Sequence, residues 1–347
     1  MAFYLLLAGL AITVFAAPFV PGWLELYRRR DSQPLHINME HSSSPFFFGD
    51  SFGALLRRGL FPDGSNENPA GLEQKEYTIK VSRPEKVSVI TAPTWSFAPF
   101  SRVKHIVYAA GDLEVGEQSS FAKELVTEGR ARVGGRTRLR AALCRKGLEL
   151  EEGASVARWL DVREGGLTAG ANCRLGRSAS SAGPLNLGPG CAFSKLYGLP
   201  IRTFAAPPPA SPPAEGNIRE KALVATALLF SIPAGAVLRN NVLSTQELKI
   251  CSGAEVHGDI KGLRGVELED GVTVHGTIVA DGAVVLGANC RVNGNIFAQG
   301  GVRLGHGCVV GEEGHVKSVI SRSTVRLEAG TIVHGHIACE KGTVAEA

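Results

Sequence analysis

The pattern Val-x-Gly-x-Ile occurs at 256–260 (VHGDI), 274–278 (VHGTI), 292–296 (VNGNI) and 333–337 (VHGHI). The first three copies are 18 residues apart and the fourth arrives late. Apolar residues around them fall into columns with the same step: Ile250, Leu268, Leu286 and Leu304; Val256, Val274, Val292 and Val310; Ile260, Ile278 and Ile296. The columns subdivide by six, through Ile250, Val256, Gly262 and Leu268, with a parallel series two residues earlier through Leu248, Ala254, Ile260 and Val266. Each unit of six therefore carries two inward side chains separated by an outward one and then a corner, which is a short strand with alternating faces. A helix is excluded, because this alternation cannot hold one face of a 3.6-residue spiral. Three such strands per 18-residue coil predict an all-β fold, a triangular parallel β-helix whose coils stack about 4.8 Å apart with equivalent positions superposed. The valines and isoleucines then fill the interior. Gly258, Gly276, Gly294 and Gly335 take a corner where a Cβ would clash or where φ is positive.

A more degenerate block with the same step precedes this one. Phe121, Leu139, Val156, Cys173 and Phe193 read as one column, and Val115, Val133, Leu150, Leu167 and Leu187 as another, with turn glycines at Gly153, Gly170 and Gly190. Between the blocks, APPPASPPAEGN at 206–217 is stiff and cannot pair in a ladder, so it reads as a linker or an excursion from one long solenoid. The stretch 222–235 is too short and too close to proline for a membrane span and reads as a strand or short helix re-entering the solenoid. Composition agrees: 42 glycines against 5 tyrosines and 2 methionines suit a core of small and branched side chains.

Residues 2–24 carry no charge and are about long enough to cross a bilayer as a helix. A cleaved signal peptide is the competing reading, with Ala16 and Ala17 before Pro18. No basic residue precedes the apolar run, whereas Arg28, Arg29 and Arg30 follow it, which favours an uncleaved single-pass anchor with the bulk of the chain cytoplasmic. The organisation expected is an anchor over 1–27, an irregular juxtamembrane segment over 28–100, a degenerate β-helix over 101–205, the linker 206–217 and a regular β-helix over 218–347. Within 28–100, the run 77–90 reads as two strands, and SPFFFGD at 44–50 as local packing. Seven cysteines without a CxxC pair suggest a reducing compartment. A net charge of +4 gives no argument for nucleic acid.

His257 and His275 share a column continued by Asn293, and His334 and His336 flank Gly335. Stacked imidazoles can ligate a metal, but Asp259, Thr277 and Asn295 do not form a column of ligands, so an outward polar ladder is expected and neither metal nor cofactor is assigned. Cys173 with Cys191, and Cys290 with Cys308, read as stacked small core residues. Arg136, Arg138 and Arg140 lie at i, i+2 spacing within an acid-free basic stretch, 130–146, and are read as sharing one strand face. That face either rests, with Arg28, Arg29 and Arg30, against anionic lipid headgroups or is simply solvated. No nucleophile elbow, phosphate loop or Cys/His couple is present, so no enzyme activity is expected.

The segment 253–296, with its Val-x-Gly-x-Ile in each coil, resembles the bactofilins, polymer-forming bacterial cytoskeletal proteins. The resemblance covers 236–345 well and 103–200 weakly. It implies a β-helix that polymerises end to end without nucleotide at the bacterial inner membrane, with itself, membrane lipids and envelope proteins as partners. The final coil, with Val325, Leu327, Val333 and Ile337, is expected to offer an uncapped surface for self-assembly. The alternative is a hexapeptide-repeat acyltransferase with a left-handed β-helix, for which His306 or His315 is the candidate base.

Overall fold

The computed structural model describes residues 44–61, 74–80, 86–205, 223–226 and 231–346. The expected anchor over 1–27, Arg28, Arg29 and Arg30, and the linker 206–217 lie outside the described residues. Among those described, no helix is long and apolar enough to cross a membrane.

The chain from Pro45 onward builds one compact unit, a β-solenoid with three strands per coil. Coils stack in parallel at the predicted step. Val256 pairs with Val274, Val274 with Val292 and Val292 with Val310, while Ile260, Ile278 and Ile296 align on the next face. These side chains are fully buried in a single core that runs from Val107 to Val344. Each such residue contributes roughly 1.5–3 kcal/mol by leaving water, so the repeat is the main source of stability.

Four of the five positions of Val-x-Gly-x-Ile have a structural task. Val and Ile point inward. A Cβ on Gly258, Gly276 or Gly294 would overlap the backbone of the coil before it, and only Gly335 also needs a positive φ, 140°. The variable residue after the glycine forms a ladder. Asn241 Oδ1 accepts the Asp259 N–H at 2.8 Å, Asp259 Oδ1 the Thr277 N–H at 2.8 Å, and Asn295 Oδ1 the Ser318 N–H at 2.9 Å. Any short side chain with an acceptor oxygen serves, which is why the position varies without losing its function. The fourth copy is late because Val310 pairs with Val333, 23 residues on instead of 18, and the extra residues form the exposed loop around 312–316.

The first block begins earlier than expected. Strands Lys86–Ala92, Trp95–Phe97 and Arg102–Val103 already form its first coil, so 86–100 belongs to the solenoid and not to an irregular segment. Two columns also differ from the sequence reading. Val156 stacks on Leu175, not Cys173, and Leu150 on Ala169, not Leu167. Positions i and i+2 both face inward in this fold, so a coil of 17 residues followed by one of 19 slips the apparent column by one inward step. The expected pair of strands is present as an antiparallel hairpin, Lys75–Lys80 with Lys86–Ala92.

The two blocks meet tail to tail. The last strand of the first, Ala192–Thr203, runs antiparallel to the last strand of the second, Ile332–Val344, with Leu196 opposite Ile337 and Ile201 opposite Val333. The Phe193 ring lies over Gly342, where a Cβ would overlap it. This corrects the expectation of an open final coil. Val325, Leu327, Val333 and Ile337 are buried, and the coil they close is covered by the first block of the same chain.

A helix, Phe47–Leu60, lies in the segment expected to be irregular. Its length at 1.5 Å per residue, about 21 Å, matches about four coils at 4.8 Å, and it lies along the outside of the first block. Leu56 and Leu60 pack with Ile79, Val89, Ile106, Tyr108 and Val126 in a second apolar cluster. Gly49 and Gly59 face Asp161 and Ile79 so closely that a Cβ would collide with either.

Candidate functional site

The tail-to-tail junction makes both outer ends of the solenoid N-terminal coils, and the two ends are built differently. The first block fills its end with aromatic rings. Trp95 and Phe97 stack at 5.0 Å, and Phe97 meets Phe121 edge to face at 5.2 Å. The hairpin strand Lys75–Lys80 covers one of its three edges. The second block ends in strands Leu223–Thr226, Ser231–Ile232 and Val237–Leu238, each pairing on one side only among the described residues. Val237 is 56% exposed there. Unpaired ladder groups beside an exposed apolar side chain are what a further strand can bind.

The helix is held by a carboxylate distant in sequence. No side chain of its own caps it. Instead Asp161 Oδ2 accepts the Gly49 N–H at 2.6 Å, so an acidic group meets the positive end of the helix dipole. Arg163 donates to the Phe46 carbonyl at 3.0 Å and pairs with Asp50 at 2.6 Å, while Ser180 Oγ donates to the Pro45 carbonyl. Burial raises the Asp161 carboxyl to about 6, against the opposing pull of the Gly49 N–H and Arg163.

The three arginines read as one stripe do not share a strand. Arg136 occupies a corner with φ 56°, Arg138 lies in the strand Arg138–Leu139, and Arg140 follows it and pairs with Glu124 at 2.9 Å. Arg132 and Arg145 are also neutralised, by Glu151 and by Glu128 with Glu164. These acids come from neighbouring coils, which a search along a single stretch of sequence does not see. Arg138 instead lies level with Ser120, which lies level with Arg102, and Arg102, Lys104, Arg136 and Arg138 line one shallow groove.

His306 and His315, the candidate bases, are both exposed. His306 sits at a corner beside Arg303 and Glu328, which pair with each other at 3.1 Å, and His315 lies in the inserted loop bridged to Glu312. All seven cysteines are free; Cys173, Cys191, Cys290 and Cys308 are buried at corners, and each thiol donates to a backbone carbonyl of the preceding coil.

The histidine ladder contains a residue that the column reading missed. His257 and His275 stack with ring centroids 4.5 Å apart, and Glu255 reaches both, with its Oε1 3.2 Å from His257 Nε2 and 2.9 Å from His275 Nε2. Glu255 lies two positions before His257 across the inward Val256, so both point outward. That i, i+2 relation is written in the sequence, on the outer face of the same strand and not in the column of either histidine. No protein-family model, no curated protein and no solved structure matches this chain.

Proposed function

We propose that this chain is a bactofilin-like scaffold that self-assembles through its solenoid ends without nucleotide, held at the bacterial inner membrane by its N-terminal apolar segment. The observation that carries the reading is the second block's first coil, whose strands pair on one side only among the described residues while Val237 stands exposed. A strand array of this kind can add a further strand at its edge, and because both outer ends are N-terminal coils, the strand of a second copy would run antiparallel to it, as the two last strands do at the internal junction. Because the final coils are used internally, the contact between copies is assigned to the N-terminal coils of the two blocks. Two ends per molecule allow growth beyond a dimer. Arg102, Arg136 and Arg138, with Arg28, Arg29 and Arg30 near the anchor, are the groups proposed to face anionic headgroups, each worth about 1 kcal/mol near such a surface.

The test is electron microscopy and light scattering of the full chain in detergent or nanodiscs, without nucleotide. Filaments or sheets that disappear in Leu238→Lys, the inward residue of that edge, with the fold intact by circular dichroism, are expected. A discrete trimer that binds acyl-CoA saturably would instead establish the acyltransferase reading with His306 or His315 as base, and a monomer would remove the polymer.

A further inference from the structure

The outer face of the second block carries a donor set that its fold does not require. The core positions there are filled by Val256 and Val274, and the corner ladder by Asp259 and Thr277, both complete without the residues between them. Yet Glu255, His257 and His275 converge, one ligand atom from each lying within 4.8 Å of the others. Their side chains are only 29%, 12% and 21% exposed.

The distances suit a tetrahedral ion. Two donors on such an ion at 2.0–2.1 Å are about 3.3 Å apart, and the two Glu–His separations are 3.2 and 2.9 Å. The edge between the imidazoles has to contract, and because the rings are now parallel to within 4°, they have to tilt toward each other at their Nε2 edges for both lone pairs to meet at the ion. Two imidazoles and a carboxylate are a borderline donor set, suited to zinc and its neighbours in the first transition row and not to calcium or magnesium.

A supporting residue stands behind the site. Asn293, one coil further on, reaches His275 Nδ1 through its Nδ2 at 3.4 Å, and its Oδ1 is buried with no hydrogen-bond partner. A half-turn of the amide lets Oδ1 accept from the Nδ1–H of His275. That bond fixes the proton on Nδ1 and leaves the Nε2 lone pair directed at the ion, the arrangement by which outer residues orient metal-bound histidines.

We infer that Glu255, His257 and His275 form a site for a zinc-like divalent cation, positioned by Asn293, that clasps two successive coils near the N-terminal end of the second block. Glu255 and His257 belong to one coil and His275 to the next, so the ion cross-links neighbours that the ladder alone holds together. His257 lies one coil from the terminal strand Val237–Leu238. Each histidine binds as a neutral imidazole with its proton on Nδ1, so a neutral ring carrying that proton on Nε2 transfers it to Nδ1, and only an imidazolium releases a proton to solvent. Three protein ligands leave a fourth position for water or for a group from another molecule.

The experiment is titration of the full chain, stripped with chelator, with Co²⁺ as spectroscopic probe and Zn²⁺ as competitor. One equivalent of Co²⁺ is expected to give the intense visible bands of a tetrahedral N/O site, displaced by Zn²⁺, together with a rise in melting temperature that chelator reverses. His275→Gln and His257→Gln are expected to weaken binding at least about tenfold each, and Asn293→Leu to weaken it by about tenfold without touching the ion. His306→Gln, remote from the cluster, is expected to bind as the parent does. Circular dichroism of each variant establishes that the solenoid is intact. Parent-like affinity in the His257 and His275 variants, a sulfur-to-cobalt charge-transfer band marking cysteine ligation, or no saturable binding would each overturn the site. None of these outcomes bears on whether the chain polymerises, which the end-coil variant tests separately.

Discussion

The first block is irregular in sequence and covered on one outer face, whereas the second is regular and, among the described residues, has no helix on any face. The same face shows the contrast. In the first block it carries Tyr108, Val126, Leu143 and Asp161, four different side chains each fitted to a different part of the helix Phe47–Leu60. In the second, the corresponding strands present Lys261, Val279, Phe297 and Ile320, half-buried along the outside. A strand that packs on both faces answers to two partners and cannot repeat itself. A strand that packs only inward is free to keep one pattern, and the coil with it.

The variants that separate the blocks can be ordered by expected effect. Ile337→Lys places an unpaired charge in the junction both blocks share, opposite Leu196, and is expected to cost several kcal/mol. Thermal unfolding, expected as a single transition in the parent, should then split in two as the blocks lose their common face. A variant that still melts in one step at the parent temperature would mean the junction contributes little.

Leu56→Ala removes a fully buried side chain from the helix and should cost about 2–4 kcal/mol, confined to the first block. Hydrogen exchange should show faster exchange in 47–60 and in the strand Ile106–Ala109, with 248–304 unchanged. Loss of protection in the second block would show that the helix stabilises the whole solenoid.

The pH dependence of helix docking is the next effect. With its carboxyl raised to about 6 from 3.8, Asp161 favours docking when protonated, so its contribution is complete below about 3.8 and is lost as pH rises through 6. Each tenfold change in proton affinity is worth about 1.4 kcal/mol, so the whole effect is on the order of 3 kcal/mol. Protection of 47–60 should therefore increase between pH 7 and pH 5, and Asp161→Asn, whose amide oxygen still accepts from Gly49, should remove that increase. A parent protein whose helix loosens on acidification would show that the Arg163–Asp50 pair outweighs the buried carboxyl.

The smallest effect belongs to the regular block. Asp259→Ala leaves the Thr277 N–H without its acceptor and should cost about 1 kcal/mol, read as a small drop in denaturation midpoint. No measurable change would mean that water replaces the side-chain oxygen at this corner.

Much of this architecture was legible because a solenoid is nearly one-dimensional: each coil touches its neighbours, so the rule for one coil is written in every coil. Val274, Ile278 and Leu286 disclose their burial by spacing alone, and Gly276 its corner. Where the pattern slipped, at Cys173 and Leu167, two inward positions per strand gave equivalent solutions, and only pairing across coils chose between them. The helix left a weaker trace, Gly49, Gly53, Leu56 and Leu60 at helical spacing, which the aromatic run beside it obscured. Of the candidate site, the stacked histidines were visible as a column, whereas Glu255 joined them by lying on the same outer face of a different step.

The sequence by itself determined the coil, its length, its inward residues and the place of the Val-x-Gly-x-Ile corner, because those follow from local alternation and a fixed repeat. The tertiary structure alone decided that the blocks join tail to tail, that Asp161 caps a helix 112 residues away and that three ligand atoms meet at Glu255. Periodicity fixes what each coil does to the next, but nothing periodic crosses 206–222. The meeting of Phe193 with Gly342 is a match of shape between two ends of the chain, and a match of that kind exists only once both ends are folded.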